Sequence, residues 1–392
     1  MLMQEEYLLY QISAGLTEMH GFEILHLDNV KNEIWLEKKI KDSTHVVRLF
    51  QKGFGWQNHM KSDISAVSDK VKRLRSMIVG RSVKIHNVYI NWYPPVDQWE
   101  SLKKPVEVPG IKQTEILTYY LNQYNLENEL ERFYSNLHVE NRDDHLQLQS
   151  ELAADEAVLT WKRRLMERHR EARKKEHSVF TYGRPVWVFG LLIINFLLFF
   201  FLEQNGGSMN VKTLIDFGAK YNPAIKEGEW WRIVSSMFLH IGFFHLLMNM
   251  LALYYLGAAV EKIYGSFRFT VIYFSAGISG GLASFAFNTQ VSAGASGAIF
   301  GLFGALLFFG ITYKKLFFRT MGWNLLFILA INIIFGFVVP QVDNGAHIGG
   351  LVGGFAASAF VALPDNASLP RQLAAFAAYI AVLISLVFYG LY

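Results

Sequence analysis

After Tyr182 the sequence carries seven apolar stretches, each close to the length of a bilayer-crossing helix, and few folds accommodate such a pattern. Crossing roughly 30 Å of hydrocarbon takes about 20 residues of α-helix, and inside lipid every backbone N–H and C=O must be satisfied within a helix or a closed barrel. The stretches run approximately over 185–202, 243–260, 269–287, 296–313, 321–339, 347–363 and 372–391, the fourth and sixth being rich in Gly and Ala. Most charged residues lie before Phe180 and few after Ser266, so the chain divides into a soluble part and a polytopic α-helical membrane part. There is no cysteine, which excludes disulfides, thiol catalysis and cysteine-ligated metals.

Lysine and arginine set the expected orientation. The start, Met1-Leu2-Met3-Gln4-Glu5-Glu6, lacks the basic opening and apolar run of a secretory signal, so the first domain is expected in the cytoplasm. The run from Lys162 to Lys175 immediately precedes the first apolar stretch. With a net charge of only +4 it reads as a topology anchor and not as a nucleic-acid site. Lys262 with Arg268, then Lys314, Lys315 and Arg319, then Arg371, fall in alternate loops, and seven crossings from an inside start put the C-terminus outside. The long loop from Glu203 to Gly242 carries Lys212, Lys220, Lys226 and Arg232, but with acids mixed in.

In the soluble part, apolar positions recur at helical spacing over Glu5 to His20, followed by alternating runs at Phe22 to Leu27, Glu33 to Glu37 and His45 to Phe50 that read as strands. A helix from Trp56 to Met77 and a strand from Val83 to Trp92 complete a compact α+β domain ending near Pro109. This order resembles restriction-endonuclease-like folds. The sole acid-x-Lys element on a strand, Glu37-Lys38-Lys39, sits on the second strand and reads as surface charge at a strand end. From Thr114 to His177 the composition turns to Leu, Glu, Arg and Lys without Pro or Gly, which predicts a long helical connector. His138, His145, His169 and His177 lie in or near it and read as solvated groups. The expected division is 1–110 for the α+β domain, 111–182 for the connector and 183–392 for the membrane domain.

A charged group inside a span costs about 2.5 to 3.5 kcal/mol on insertion scales, so polar residues there need a reason. With the orientation above, the second, fourth and sixth spans run in the same direction, and their first turns carry His245 with Asn249, then Ser296, then His347. Four polar groups thus share one depth near the outer face. A serine passes its proton to an imidazole only within roughly 2.6 to 3.2 Å, and small residues let helix backbones approach that closely. Gly297, Gly301 and Ala305 supply such a face on the fourth span, and Gly349 and Gly353 beside Gly350 and Gly354 on the sixth. His245 and Asn249, one turn apart, can both donate hydrogen bonds to a developing oxyanion, and the Ser296 amide at a helix start can add a third.

These residues resemble the rhomboid intramembrane serine proteases. The likeness rests on Trp231-Arg232, His240…His245…Asn249, Glu261, Gly294-x-Ser296-Gly297 and Ala346-His347-x-x-Gly350, and spans Gly183 to Leu363. Ala298 in the fifth place rules out the nucleophile elbow of soluble α/β-hydrolases. The soluble first domain and the seventh span make the chain similar to the Bacillus-type rhomboids, which often end in a tetratricopeptide tail; the sequence stops at Tyr392 without one, which leaves tail-dependent partner binding open.

The resemblance implies a six-helix core plus a seventh C-terminal span, and a Ser-His dyad needing no metal or cofactor. Ser296 attacks the scissile carbonyl, His347 carries the proton, and His245, Asn249 and the Ser296 amide hold the oxyanion. Phe300 would orient His347 where the family often has tyrosine, Asp343 is not expected as a third triad member, and His240 is expected to be structural. Trp231 and a snorkelling Arg232 would anchor the outer loop in the membrane interface, and Glu261 would cap helix contacts on the cytoplasmic side. The 339–345 loop and the fifth span, with Trp323, Phe327 and Phe335, would form the cap and side gate. Expected partners are the lipid bilayer, membrane proteins with a helix-destabilised span, and a cytoplasmic partner of the first domain. The competing readings are a catalytically silent rhomboid-like client-binding protein, which would lack Ser296 or His347, and a transporter, which would carry its polar groups near mid-span.

Overall fold

The computed structural model describes residues 2–74, 82–111, 113–140 and 151–392, and the chain forms two compact units, Met1–Lys175 and Glu176–Tyr392. The first unit is an α+β domain. Helix α1 (Leu2–Glu18) precedes strands β1 (Glu23–Asp28), β2 (Glu33–Ile40) and β3 (Ser43–Gln51), helix α2 (Gln57–Leu74) and strand β4 (Ser82–Ile90). The order helix, three strands, helix, strand follows the apolar periodicity. The expected extension of the second helix to Met77, and His145, lie outside the described residues.

The expected boundary near Pro109 is wrong. Strands β5 (Val106–Glu107) and β6 (Thr114–Leu121) complete a six-stranded sheet of order β1-β2-β3-β4-β6-β5, with β6 parallel to β4 and β4 parallel to β3. The β-forming run Thr114-Glu115-Ile116-Leu117-Thr118-Tyr119-Tyr120-Leu121 adjoins Glu- and Arg-rich helical sequence, whose composition masks an interior strand. Helix α3 (Leu126–Leu137) buries Leu130, Phe133 and Leu137, and helix α4 (Glu151–Val179) buries Val158 and Leu165, in a cluster that also holds Leu9 of α1 and Leu49 of β3. The first half of the expected connector therefore belongs to the domain. Lys162 pairs with Glu6, and Arg164 and Arg168 with Glu18, along the same seam. Glu37, expected at the surface, is only 3% exposed, because β2 is covered along most of its length.

The second unit is helical. Helix α5 (Trp187–Gln204) is followed by a loop containing the short helices α6 (Val211–Asp216), α7 (Asn222–Lys226) and α8 (Arg232–Ser235). Helices α9 (Phe243–Ala252) and α10 (Ala258–Tyr264) are joined by a π-helical bulge at Leu253–Gly257 into one apolar rod. Then come α11 (Ser266–Phe287), α12 (Ser296–Thr312), α13 (Lys314–Thr320), α14 (Gly322–Val338), α15 (Asn344–Val361) and α16 (Leu369–Leu391).

Among the described residues, four helices are long and apolar enough to cross a membrane, namely Trp187–Gln204, Phe243–Tyr264, Ser266–Phe287 and Leu369–Leu391; α13 and α14, bent by 75°, make a fifth if taken as one span. Each of the seven expected stretches coincides with a helix, but α12 is only 17 residues, about 26 Å at 1.5 Å per residue. Twelve of those residues are buried, so most of its length meets protein and not lipid.

Candidate active site

The geometry is set by how closely α11, α12 and α15 approach. A Cβ built on Gly350 would stand 1.9 Å from the Gly297 carbonyl oxygen, and one on Gly354 would stand 2.1 Å from that of Gly301. Gly349 and Gly353 serve a different neighbour, since a Cβ on either would strike Ala283 or Ser279 of α11. Helix α15 is thus clasped on two faces, each lined by its own pair of glycines. Gly280 of α11 closes the junction, its Cβ position lying 2.8 Å from the Ala346 carbonyl and 3.3 Å from Gly297 Cα.

This junction brings Ser296 and His347 to the heads of two touching helices. Ala346 and Gly297 are backbone neighbours, so the residues following the one and preceding the other stand on adjoining first turns. The imidazole of His347 stacks on the ring of Phe300, with centroids 4.0 Å apart and planes 11° from parallel. Its Nδ1 is buried without a hydrogen-bond partner. Asp343 is engaged elsewhere, accepting from the Ala346 amide at 3.0 Å as the N-cap of α15 and from the Ser284 hydroxyl.

Ser296 is the first residue of α12, so its N–H has no i−4 acceptor within the helix and points outward from the N-terminus. The turn before it depends on Gly294, whose φ of +146° disfavours any side chain. A Cβ there would stand 2.7 Å from His245 Cε1 and 3.8 Å from Ser296 Oγ, which puts the His245 ring and the serine hydroxyl on the same glycine. The turn is pinned by Gly294 N–H donating to the Ser236 carbonyl at 2.9 Å and by Ala295 N–H donating to His240 Nε2 at 3.4 Å. His240 is fully buried, and its ring lies 5.4 Å from that of His245. Asn249 is buried on the same side of α9 as His245 and donates one amide hydrogen to the His245 carbonyl at 2.9 Å, leaving the second. Ser296, His347, His245 and Gly294 all retain partial exposure, whereas Gly297 and Phe300 are buried.

The supporting residues fall away from this centre. Glu261, fully buried, accepts from the amides of Val186, Trp187 and Val188 at 3.0 Å each and from the Ser266 hydroxyl at 2.7 Å, so it caps the start of α5. Arg232 does not snorkel as expected. It is only 7% exposed, with Nη1 donating to the Ile215 and Ala219 carbonyls and Nε paired with Glu229, because the folded loop supplies acceptors that the sequence could not reveal. Trp231 is 52% exposed and free to meet an interface. Two polar groups near the site escaped the sequence reading, Lys220 and Ser284, which line a cavity of about 20 Å³ beneath the Gly294 turn.

Comparison with known proteins finds rhomboid relatives. A profile of the rhomboid domain matches residues 227–364. Rhomboid protease GluP of Bacillus subtilis (strain 168) is 38% identical over 388 residues, covering 99% of this chain and 75% of that protein. The putative rhomboid protease YdcA of the same organism is 36% identical over 34% of this chain and 69% of its own length, and RHOMBOID-like protein 5 of Arabidopsis thaliana is 40% identical over 37% and 48%. The GluP match extends through the soluble domain, so the two share both parts. The chain belongs to the rhomboid family and is an intramembrane serine protease.

Proposed function

We propose that Ser296 and His347 form the catalytic dyad and that the enzyme cuts membrane-spanning segments of other proteins near the outer face. Ser296 Oγ attacks the scissile carbonyl while His347 accepts its proton; the tetrahedral oxyanion accepts hydrogen bonds from the His245 ring, the free Asn249 amide hydrogen and the Ser296 N–H. His347 then returns the proton to the leaving amine, and a water deprotonated by the same imidazole hydrolyses the acyl-enzyme. The chief support is the pair of contacts at Gly294, which join His245 to Ser296, together with the Phe300–His347 stack across the α12–α15 junction. The orphaned Nδ1 of His347 favours a dyad over a triad, since Asp343 already serves as a helix cap.

In this reading the membrane unit makes seven crossings, with α12 and α15 as the fourth and sixth. The soluble domain stands in the cytoplasm and the C-terminus outside, in accord with the Lys and Arg of alternate loops. Substrates are spans with weak helical propensity near the outer face, because a peptide bond must leave its helix to meet Ser296. The soluble domain is the part suited to a cytoplasmic partner. The test is coexpression of wild type or Ser296→Ala with a tagged single-span substrate. Product from wild type alone is expected, and equal product from both would overturn the assignment.

A further inference from the structure

Lys220 lies in the loop between α5 and α9, yet its side chain is only 1% exposed. Burying an ammonium is costly unless its donors are met. Here Nζ donates to the carbonyls of Asn288 at 2.7 Å, Gln290 at 2.8 Å and Ser284 at 3.5 Å. Ser284 and Asn288 stand at the C-terminal end of α11, where free carbonyls and the helix dipole favour a cation. The backbone of Lys220 also pairs with that of Ser292, N–H to carbonyl at 2.9 Å one way and 3.1 Å the other. Asn222 adds its amide to the Phe285 and Asn288 carbonyls. Everything Lys220 grips belongs to the strand of chain that leads from α11 into Gly294 and Ser296.

The second catalytic segment is held at the same place. Asp343, which caps α15 four residues before His347, accepts from the hydroxyl of Ser284, whose carbonyl faces Lys220. Ser284 therefore stands between a buried cation that fixes the approach to the nucleophile and a carboxylate that fixes the start of the base's helix. Burial draws the Lys220 ammonium down to about 8, with Asp343 opposing the fall. Charged or titratable groups on the surrounding elements include the Arg232–Glu229 pair, which reaches the neighbouring Ala219 carbonyl, His240, bonded to the Ala295 amide, and Asp216, Tyr221, Lys226 and Glu227 of the same loop.

Building on the dyad proposed above, we infer that Lys220 is a positioning residue for proteolysis: its ammonium, tied through Ser284 to Asp343, sets the register of the Ser296 turn against the His347 helix. The role concerns the placement of Ser296 and not substrate capture, so it predicts a loss in kcat at constant KM. A misplacement of about 1 Å at a catalytic group can cost about 100-fold.

The test uses the full chain purified in detergent as wild type, Lys220→Met, Lys220→Gln and Ser296→Ala, with cleavage kinetics on a tagged single-span peptide, the rate of Ser296 labelling by a fluorophosphonate, and the unfolding temperature from Trp fluorescence. Lys220→Met is expected to lower kcat and the labelling rate together by about 10- to 100-fold with KM within about twofold. Lys220→Gln, which keeps two donors, is expected to fall between it and wild type. A folded Lys220→Met with wild-type kcat, or a loss confined to KM, overturns the inference. If that variant does not fold, the wild type decides: labelling that declines above about pH 8 while the protein stays folded supports the inference. Labelling that is flat to about pH 9.5 overturns it. A wild type that neither cleaves nor labels would refute the dyad instead.

Discussion

The sharpest prediction concerns Gly350→Ala. Its new methyl would stand 1.9 Å from the Gly297 carbonyl oxygen, 2.7 Å from the Gly297 carbonyl carbon and 3.1 Å from Gly297 Cα, all of them backbone atoms that cannot swing aside. Raising 1.9 Å to an ordinary contact of 3.4 Å requires the heads of α12 and α15 to part by about 1.5 Å. Overpacking of this kind costs about 1 to 3 kcal/mol of stability, which a membrane bundle can survive. Catalysis by the proposed dyad has less tolerance, because proton transfer from Ser296 to His347 would demand roughly 2.6 to 3.2 Å, and an added separation of about 1.5 Å exceeds that window. The expected result is a folded protein whose kcat falls at least about 100-fold. Gly190→Ala is the control, since nothing lies within 4 Å of a Cβ there and α5 should gain helix propensity without losing activity. Cleavage and fluorophosphonate labelling would be read alongside the unfolding temperature. Wild-type turnover in a folded Gly350→Ala would refute the claim that the glycine contact sets the dyad distance.

Glu261→Gln replaces a carboxylate that accepts from three α5 amides and a hydroxyl with a group having one acceptor oxygen; the unfolding temperature should drop, by about 2 to 3 kcal/mol of stability, while turnover per folded molecule is unchanged. Arg48→Met removes the buried guanidinium that meets the Glu33 and Asp63 carboxylates at 2.6 and 2.7 Å, leaving Asp63 to Lys52 and Tyr89 and Glu33 to the Trp35 indole, and should destabilise the soluble domain by about 3 kcal/mol in urea titration. His45 and His86 are buried 3.0 Å apart, and burial holds His45 down to about 4 and His86 well below its ordinary value. An unfolded histidine takes up a proton below about 6.5 that the folded site refuses. Stability must therefore fall as pH drops from about 6.5 to 4, by about 3 kcal/mol for His45, and equal hydrogen-exchange protection of the sheet at pH 7 and 4.5, after correction for intrinsic rates, would refute it.

Much of this molecule was legible because its signals are periodic or punctual. The strands at Glu33 and His45 alternate, the apolar stretches have bilayer length, and Ser296 and His347 head their helices. What stayed hidden depends on the fold of distant segments. Thr114 to Leu121 looked like the start of a charged connector until β4 provided its parallel partner. Arg232 looked free to snorkel until the loop folded its carbonyls around the guanidinium. Gly349 and Gly353 could not be told from Gly350 and Gly354 by spacing, since each pair repeats every four residues, and only the positions of α11 and α12 assign each a neighbour. Lys220 was one of three lysines in a mixed loop, with nothing local to mark it as buried.

The two kinds of helix packing in the membrane unit suit the proposed cleavage of a membrane-spanning segment, which would reach the site from the side. Helices α11, α12 and α15 touch backbone to backbone through glycines, so they cannot part to admit a peptide without breaking the contacts that hold Ser296 near His347. Helix α14 is built differently. Only Gly322, Leu325, Leu329 and Gly336 of its 17 residues are buried, while Trp323, Phe327 and Phe335 are each more than half exposed. Side chains that bury little apolar surface against their neighbours hold less strongly, at roughly 25 cal/mol per Å². Of the helices that neighbour α12 and α15, α14 is thus a sparsely packed one, and in the proposed function its displacement would open a lateral path while leaving the α12–α15 junction intact. Trimming Phe327 and Phe335 to Ala should then raise the cleavage rate of a membrane-embedded substrate while leaving fluorophosphonate labelling unchanged. A parallel rise in both would mean that α14 shapes the site itself and does not gate it.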